Sequence, residues 1–322
     1  MVKKHNEMSD NVFECTHHDA LTAIMGSCDQ NLKYIEKKLN VSLSARGHII
    51  LIEGSKEQSK LAFEILTALV EKYKKGDKIT YDVLETVMSL KKLNISDEDS
   101  SVHQIKTKKR TVTPRTARQI KYVEALKESA LTFCTGPAGT GKTYLAVAMA
   151  VAAFSKGDVD KIVLSRPALE AGEKLGFLPG DLKEKVDPYL RPLYDALHDM
   201  LAPEDIEKMM SKEKIEIAPL AFMRGRTLKN AFIILDEAQN TTSVQMKMFL
   251  TRLGEGSRMA VVGDLSQIDL PHREKSGLEE SIAILKSIKN ISVIGFKDED
   301  VVRHPLVTKI ISAYEAMSFT SI

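Results

Sequence analysis

Residues Gly136 to Thr143 read GPAGTGKT. This is the pattern G-x-x-x-x-G-K-[ST]. A short apolar run, Leu131 to Thr135, precedes it and reads as a strand. Lys142 to Ser155 follows with a helical pattern. Strand, glycine-rich loop, helix is the context in which such a loop cradles phosphates. Its glycines let backbone N–H groups face the anion, and the helix N-terminus adds positive potential. The spacing assigns the cradle to Gly136, Pro137, Ala138, Gly139, Thr140 and Gly141. It places Lys142 on the β/γ-phosphates of a nucleoside triphosphate and Thr143 on Mg²⁺. With glycine near 7% of residues, chance gives this spacing in about 1% of chains of this length. The flanking strand and helix lower that further.

Downstream, Ile233 to Asn240 reads IILDEAQN. Apolar residues ending in two acids put both carboxylates at the carboxyl end of a strand, where open α/β sheets bind ligands. Asp236 is the expected Mg²⁺ ligand. Glu237 is the expected base that orients or deprotonates the attacking water. A third apolar strand closes Val261 to Leu270, VVGDLSQIDL. Gln267 could there touch the γ-phosphate and report its loss; a plain Gly-Asp turn is the alternative. Upstream, Gln119 and Tyr122 lie on one short segment with Arg115. A glutamine amide can read both edges of adenine, which makes ATP the expected nucleotide; an ordinary exposed amide is the alternative. In VVRHPLV, Val301 to Val307, Arg303 is a candidate arginine finger. A structural ion pair with Asp298 or Asp300 is its alternative.

Further strands are expected at Lys161–Ser165, Ala231–Leu235, Arg258–Val262 and Ile291–Phe296, and helices at Thr242–Leu253 and Ser276–Ile288. Apolar strands separated by helices imply a parallel sheet buried on both faces. A long, mostly helical insertion lies between Ser165 and Ala231.

The chain has 322 residues, room for two domains. Its 46 basic and 44 acidic residues decide nothing about nucleic acid as a whole. Regional charge is more informative. Residues 103–118 hold six basic residues, Lys106, Lys108, Lys109, Arg110, Arg115 and Arg118, and no acid. Just before them, Ser96 to Ser101 reads SDEDSS. Residues 94–118 therefore read as an acidic-then-basic linker between a domain at 1–93 and one at 119–322. The basic stretch, with Arg166, is the candidate contact for single-stranded RNA; a solvated linker is the alternative. Three scattered cysteines form no disulfide framework and fit a reducing cytosol. No apolar run approaches the ~18 residues of a spanning helix, and the N-terminus lacks a signal-peptide core. The expectation is a cytoplasmic protein with no membrane partner.

The first domain reads as a small α/β unit: a strand at Val12-Phe13, a helix at Asn31–Leu39, paired strands about Arg46-Gly47, then helices at Lys56–Lys72 and Thr80–Leu90. This is the outline of KH-like RNA-binding folds. Their loop would fall on Gly26-Ser27-Cys28-Asp29, where Asp29 replaces a glycine and would repel phosphate. An α/β cap used for protein contacts is the competing reading.

Taken together, these blocks resemble the PhoH-like ATPase family. GPAGTGKT, then Ser165 to Leu197 (SRPALEAGEKLGFLPGDLKEKVDPYLRPLYDAL), Met223 to Asn240 (MRGRTLKNAFIILDEAQN), Gly263 to Pro271 (GDLSQIDLP) and VVRHPLV are similar to its successive blocks. The likeness spans about 115–310, and the first 93 residues resemble the family's KH-like portion. The third and last blocks are also similar to those of superfamily-one helicases. The resemblance implies an α/β P-loop NTPase with a single RecA-like parallel-sheet domain, preceded by a small KH-like α/β domain. It implies a cytoplasmic, Mg²⁺-dependent, ATP-hydrolysing, helicase-like protein of RNA metabolism. The alternative is a nucleotide-switched adaptor that assists an endoribonuclease. A superfamily-one motor uses two RecA-like domains, and only one fits here. A homo-oligomer, by resemblance to ring ATPases a hexamer, would supply the missing half-site, with Arg303 acting in trans.

Overall fold

The computed structural model describes residues 11–92, 103–167, 182–271 and 274–301, with 307 and 310. The chain forms two units. One comprises Met1–Val102 with Pro114–Ala117, and the other His103–Thr113 with Arg118–Ile322.

In the first unit the order is β1 (Val12–Glu14), α1 (His18–Met25), α2 (Gln30–Leu39), β2 (Ser42–Arg46), β3 (Ile49–Glu53), α3 (Lys56–Lys74) and α4 (Tyr81–Lys92). The three strands form an antiparallel sheet in the order β1-β3-β2. Alternation along the strands sends Phe13, Leu43, Ile50 and Ile52 into a core shared with Ile24, Leu32, Ile35, Ile65, Leu66 and Leu69. Ser55 caps α3 by accepting the Gln58 N–H. The order, strand, two helices, two strands, two helices, contains the helix–two strands–helix outline expected from the sequence. The Gly26–Asp29 loop joins α1 to α2. Asp29 there has φ +59°, the left-handed region that glycine enters freely and aspartate tolerates.

The second unit is built on a six-stranded, all-parallel sheet. Its strands are β6 (Leu131–Thr135), β7 (Lys161–Arg166), β8 (Ile215–Pro219), β9 (Ala231–Leu235), β10 (Arg258–Gly263) and β11 (Ile291–Gly295). Their spatial order is β11-β6-β10-β9-β7-β8. Helices α5 (Ala117–Glu128), α6 (Lys142–Lys156), α7 (Leu182–Met200), α8 (Pro203–Ser211), α9 (Ser243–Leu250) and α10 (Gly277–Leu285) flank it. Both faces are covered. Cys134, Ile162, Leu164, Phe232, Ile234 and Val262 pack with α6 and α7 on one side. Phe133, Val163, Ile233, Leu235 and Val261 pack with Met246 and Phe249 of α9 and Leu278 of α10 on the other. That is why these strands carry no polar alternation. Parallel register puts Thr135 level with Gly263 and Gly295, and Leu235 level with Ser165 and Val261. The residues that follow each strand therefore gather at one edge.

Two features depart from the sequence expectation. Strand β8 lies inside the segment expected to be mostly helical. It is an edge strand, buried only at Ile215, so its sequence lacks the long apolar run of the central strands. The larger departure concerns 94–118. Residues 94–102 of that segment lie outside the described residues. Ile105–Lys106 (β4) and Thr111–Val112 (β5) pair as a small antiparallel hairpin of the second unit. Ile105 and Val112 are buried in the same core as α6 and α7. Lys108 pairs with Asp205 at 3.4 Å and Arg110 with Asp199 at 3.1 Å. Lys109 donates to the His198 carbonyl at 2.7 Å. Arg118 pairs with Glu299 and Asp300. A basic run without acids of its own thus finds its acids far along the chain. It is a docked element, not an exposed linker. Among the described residues no helix is long and apolar enough to cross a membrane.

Ile105→Ala tests the docking. Deleting a buried isoleucine side chain costs about 2–5 kcal/mol. The denaturation midpoint of the full chain should fall accordingly; a solvated linker would leave it unmoved.

Candidate nucleotide site

The phosphate loop leaves β6 at Gly136, whose φ is +140°. A Cβ there would lie 2.6 Å from the Phe296 Cβ and 2.7 Å from its carbonyl oxygen. Only glycine permits that approach. Helix α6 begins at Lys142 with no side-chain cap. Its first N–H groups are left for an anion, and its 15 residues align the peptide dipoles behind them. The Lys142 ammonium lies over the loop, donating to the carbonyls of Gly136 at 2.6 Å and Pro137 at 2.8 Å. Burial lowers its pKa, and the nearby carboxylates of Asp264, Asp236 and Glu237 partly offset this.

The acidic half of the site comes from the turn after β9. The Thr143 hydroxyl donates to Asp236 Oδ1 at 2.6 Å. Burial pushes the Asp236 carboxyl above its usual range, while the Thr143 hydrogen bond pulls it down. A hydroxyl and a carboxylate in contact are the hard oxygen donors that suit Mg²⁺. Glu237 follows at φ +51°, left-handed backbone that a non-glycine residue adopts at a cost of roughly 1–3 kcal/mol. Both its oxygens are engaged. Arg166 Nη2 lies 3.3 Å from Oε1, and Gln239 Nε2 donates to Oε2 at 2.6 Å.

Gln239 is buried and uses its whole amide. Besides the bond to Glu237, Nε2 donates to the Gln267 carbonyl at 3.1 Å, and Oε1 accepts the Asp264 N–H at 3.0 Å. Asp264 carries the network back to the phosphate loop. Its Oδ2 accepts the Ala138 N–H at 3.1 Å and the Gln267 amide at 2.7 Å. Burial alone would raise the Asp264 carboxyl. Hydrogen bonds from Ser266, the Lys142 charge and the Gln267 bond together hold it below its usual value. The P-loop, the acidic turn and the Gly-Asp turn are thus tied through Gln239 and Asp264. They surround a cavity of about 280 Å³ lined by Ala138, Gly139, Lys142, Thr143, Glu237 and Gln267.

The structure therefore brings together the P-loop, Asp236, Glu237 and Gln267. It does not bring Gln119 or Tyr122 to that cavity. Gln119 is buried behind the loop, donating to the Thr140 carbonyl at 3.0 Å. Tyr122 is fully buried, edge-on to Phe296 with ring centroids 5.8 Å apart. Arg303 lies outside the described residues. Asp300, named above as a possible partner, pairs with Arg118 at 3.1 Å. Sequence reasoning missed Gln239, although it stands two residues after Glu237. An amide in a turn gives no sign of its burial.

A phosphate loop on one strand, answered by a Thr–Asp contact from the next strand but one in a parallel sheet, defines a P-loop NTPase. The chain belongs to the PhoH-like protein family, whose pattern it matches over residues 111–315. It is 52% identical over 301 residues to a PhoH-like protein of Bacillus subtilis, covering 92% of this chain and 94% of that one. It is 48% identical over 299 residues to a PhoH-like protein of Mycobacterium tuberculosis, covering 92% and 85%. Among solved structures, a Sulfolobus solfataricus SWI2/SNF2 ATPase core in complex with dsDNA overlaps 56% of this chain and 44% of that one. Its TM-score is 0.33 at 16% identity, a likeness that adds nothing to the sheet order itself.

The placement of Gln119 predicts the behaviour of Gln119→Ala. Removing the brace on Thr140 should raise the KM for ATP and GTP by the same factor, read from paired steady-state titrations. A base-reading amide would instead narrow the gap between the two.

Proposed function

We propose that this chain hydrolyses ATP with Mg²⁺ and works as an RNA-associated, helicase-like remodelling ATPase. The observation that carries hydrolysis is the contact of Thr143 with Asp236, with Glu237 beside it on the wall of the cavity that also holds Lys142. In this reading Lys142 and the loop N–H groups bind the β/γ-phosphates, and Thr143 and Asp236 hold Mg²⁺. The ion, when bound, neutralises charge on the phosphate oxygens. Glu237 orients the attacking water and takes its proton. Gln267, which donates to Asp264 on the cavity wall, is assigned to report the γ-phosphate. The preference for ATP rests on the likeness to helicase-like ATPases, not on Gln119.

An open α/β edge exposes the γ-phosphate to water. We infer a head-to-tail homo-oligomer, six-membered by analogy with ring ATPases, in which Arg303 of one subunit completes the neighbour's site. The RNA-associated role is supported by the family blocks and by the KH-like first unit. The alternative, a slow nucleotide switch that assists an endoribonuclease, predicts turnover indifferent to RNA. ATPase rates with and without single-stranded RNA and DNA separate the two.

Two variants test the chemistry. Glu237→Gln should retain ATP affinity and lose about 10²-fold or more in kcat; turnover at the wild-type rate refutes the assigned base. Lys142→Ala should lose nucleotide affinity itself. For the trans arginine, Arg303→Ala subunits mixed with Lys142→Ala subunits should recover part of the activity that each lacks alone. A verified mixed oligomer without recovery places Arg303 in its own subunit's site or in a structural role.

A further inference from the structure

Beside the nucleotide cavity lies a second one of about 460 Å³. Its walls include Tyr144, Arg166, Pro192, Asp195 and Asp199. The two cavities share Thr143, Tyr144, Asp236 and Glu237, so the acidic turn is the partition between them. Arg166 lines only the second cavity, while Lys142 and Gln267 line only the first. The 3.3 Å contact between Arg166 Nη2 and Glu237 Oε1 therefore holds one carboxylate oxygen of the expected base toward the second cavity. Gln239 holds the other oxygen. The base is engaged at both oxygens, and its backbone is in the left-handed region.

We propose that Arg166 is a positioning residue that restrains Glu237, and that a phosphate of single-stranded RNA entering the second cavity draws the guanidinium away and frees the carboxylate. The role given to RNA rests on the ATPase reading above. Three observations support it. Arg166 ends β7, directly beside β9, so the pair links the ends of two neighbouring strands. The two side chains are 22% and 35% exposed, so solvent weakens the pair enough for another anion to compete. Guanidinium binds phosphate and carboxylate with the same planar fork, so the exchange replaces like with like. The facing wall on α7 bears Asp195 and Asp199, and Arg110 already pairs with Asp199 at 3.1 Å. With Asp236 and Glu237 also in the lining, Arg166 is the one cation among the lining residues that an incoming phosphate can engage. Hydrolysis and RNA occupancy would be coupled through one ion pair.

The test uses the full chain with and without a single-stranded oligoribonucleotide, reading kcat, KM for ATP and the thermal midpoint. Arg166→Gln should raise the RNA-free kcat by about fivefold at unchanged KM, and reduce stimulation by RNA to under about twofold. Arg166→Lys, which keeps the charge without the fork, should restore part of the restraint and part of the stimulation. A purely structural role would lower the thermal midpoint and would not raise kcat. An Arg166→Gln enzyme whose RNA-free kcat is unchanged or lower overturns the restraint. Wild-type stimulation persisting in that variant overturns the release by RNA. Stimulation of the wild type by inorganic phosphate alone, with RNA silent, assigns the cavity to the product and also overturns it. If RNA neither binds nor stimulates the wild type, the RNA-associated reading fails. The restraint is then still decided by the RNA-free rate of Arg166→Gln.

Discussion

The hydrogen bond from the Thr143 hydroxyl to Asp236 joins the first turn of α6 to the end of β9. The strand between them, β10, keeps the two elements one strand apart. The contact therefore exists only if three parallel strands hold their register, and that register is held by side chains buried on both faces. Asp236 is 5% exposed. An isolated carboxylate at such a depth would cost several kcal/mol and would be driven to its neutral form. Here it faces a hydroxyl, with the Arg166 charge also favouring its ionised form. The apolar layers and the polar site are in this sense one construction.

The same economy governs the rest of the site. Gln239 leaves no hydrogen-bonding atom of its amide idle. Gly263 makes its placement possible: a Cβ at that position would meet Gln239 Oε1 at 2.8 Å and Leu278 Cδ2 at 2.5 Å. Buried amides of this kind are stringent, because a half-satisfied network is worse than an apolar core. Three turns from three strands are thus joined in one hydrogen-bond network. Gln239 links Gln267 and Asp264 to Glu237 through its own amide.

The hairpin at 105–112 shows the same principle working on charge. Its lysines and arginine read from the sequence as a surface for an anionic partner. Folded, Lys108, Lys109 and Arg110 meet Asp205, the His198 carbonyl and Asp199 on α7 and α8. Such exposed pairs contribute little individually. The burial of Ile105 and Val112 does most to fix the hairpin. In the first unit, Asp29 illustrates the converse. The backbone keeps a left-handed turn that glycine would favour, while the side chain changes the charge offered there.

What the sequence determined by itself was the nucleotide loop, the central strands and the acids that end one of them. Each is a local property: glycine spacing that lets the chain turn tightly, apolar runs that must be buried on two faces, and chain position relative to those runs. Only the tertiary structure decided the fates of Gln119, Gln239, Arg166 and the basic hairpin. An amide or a guanidinium has no preferred partner encoded in its neighbours along the chain. Its role follows from which strand lies alongside. Residues 119 and 140, 166 and 237, or 110 and 199 meet only after the sheet has formed.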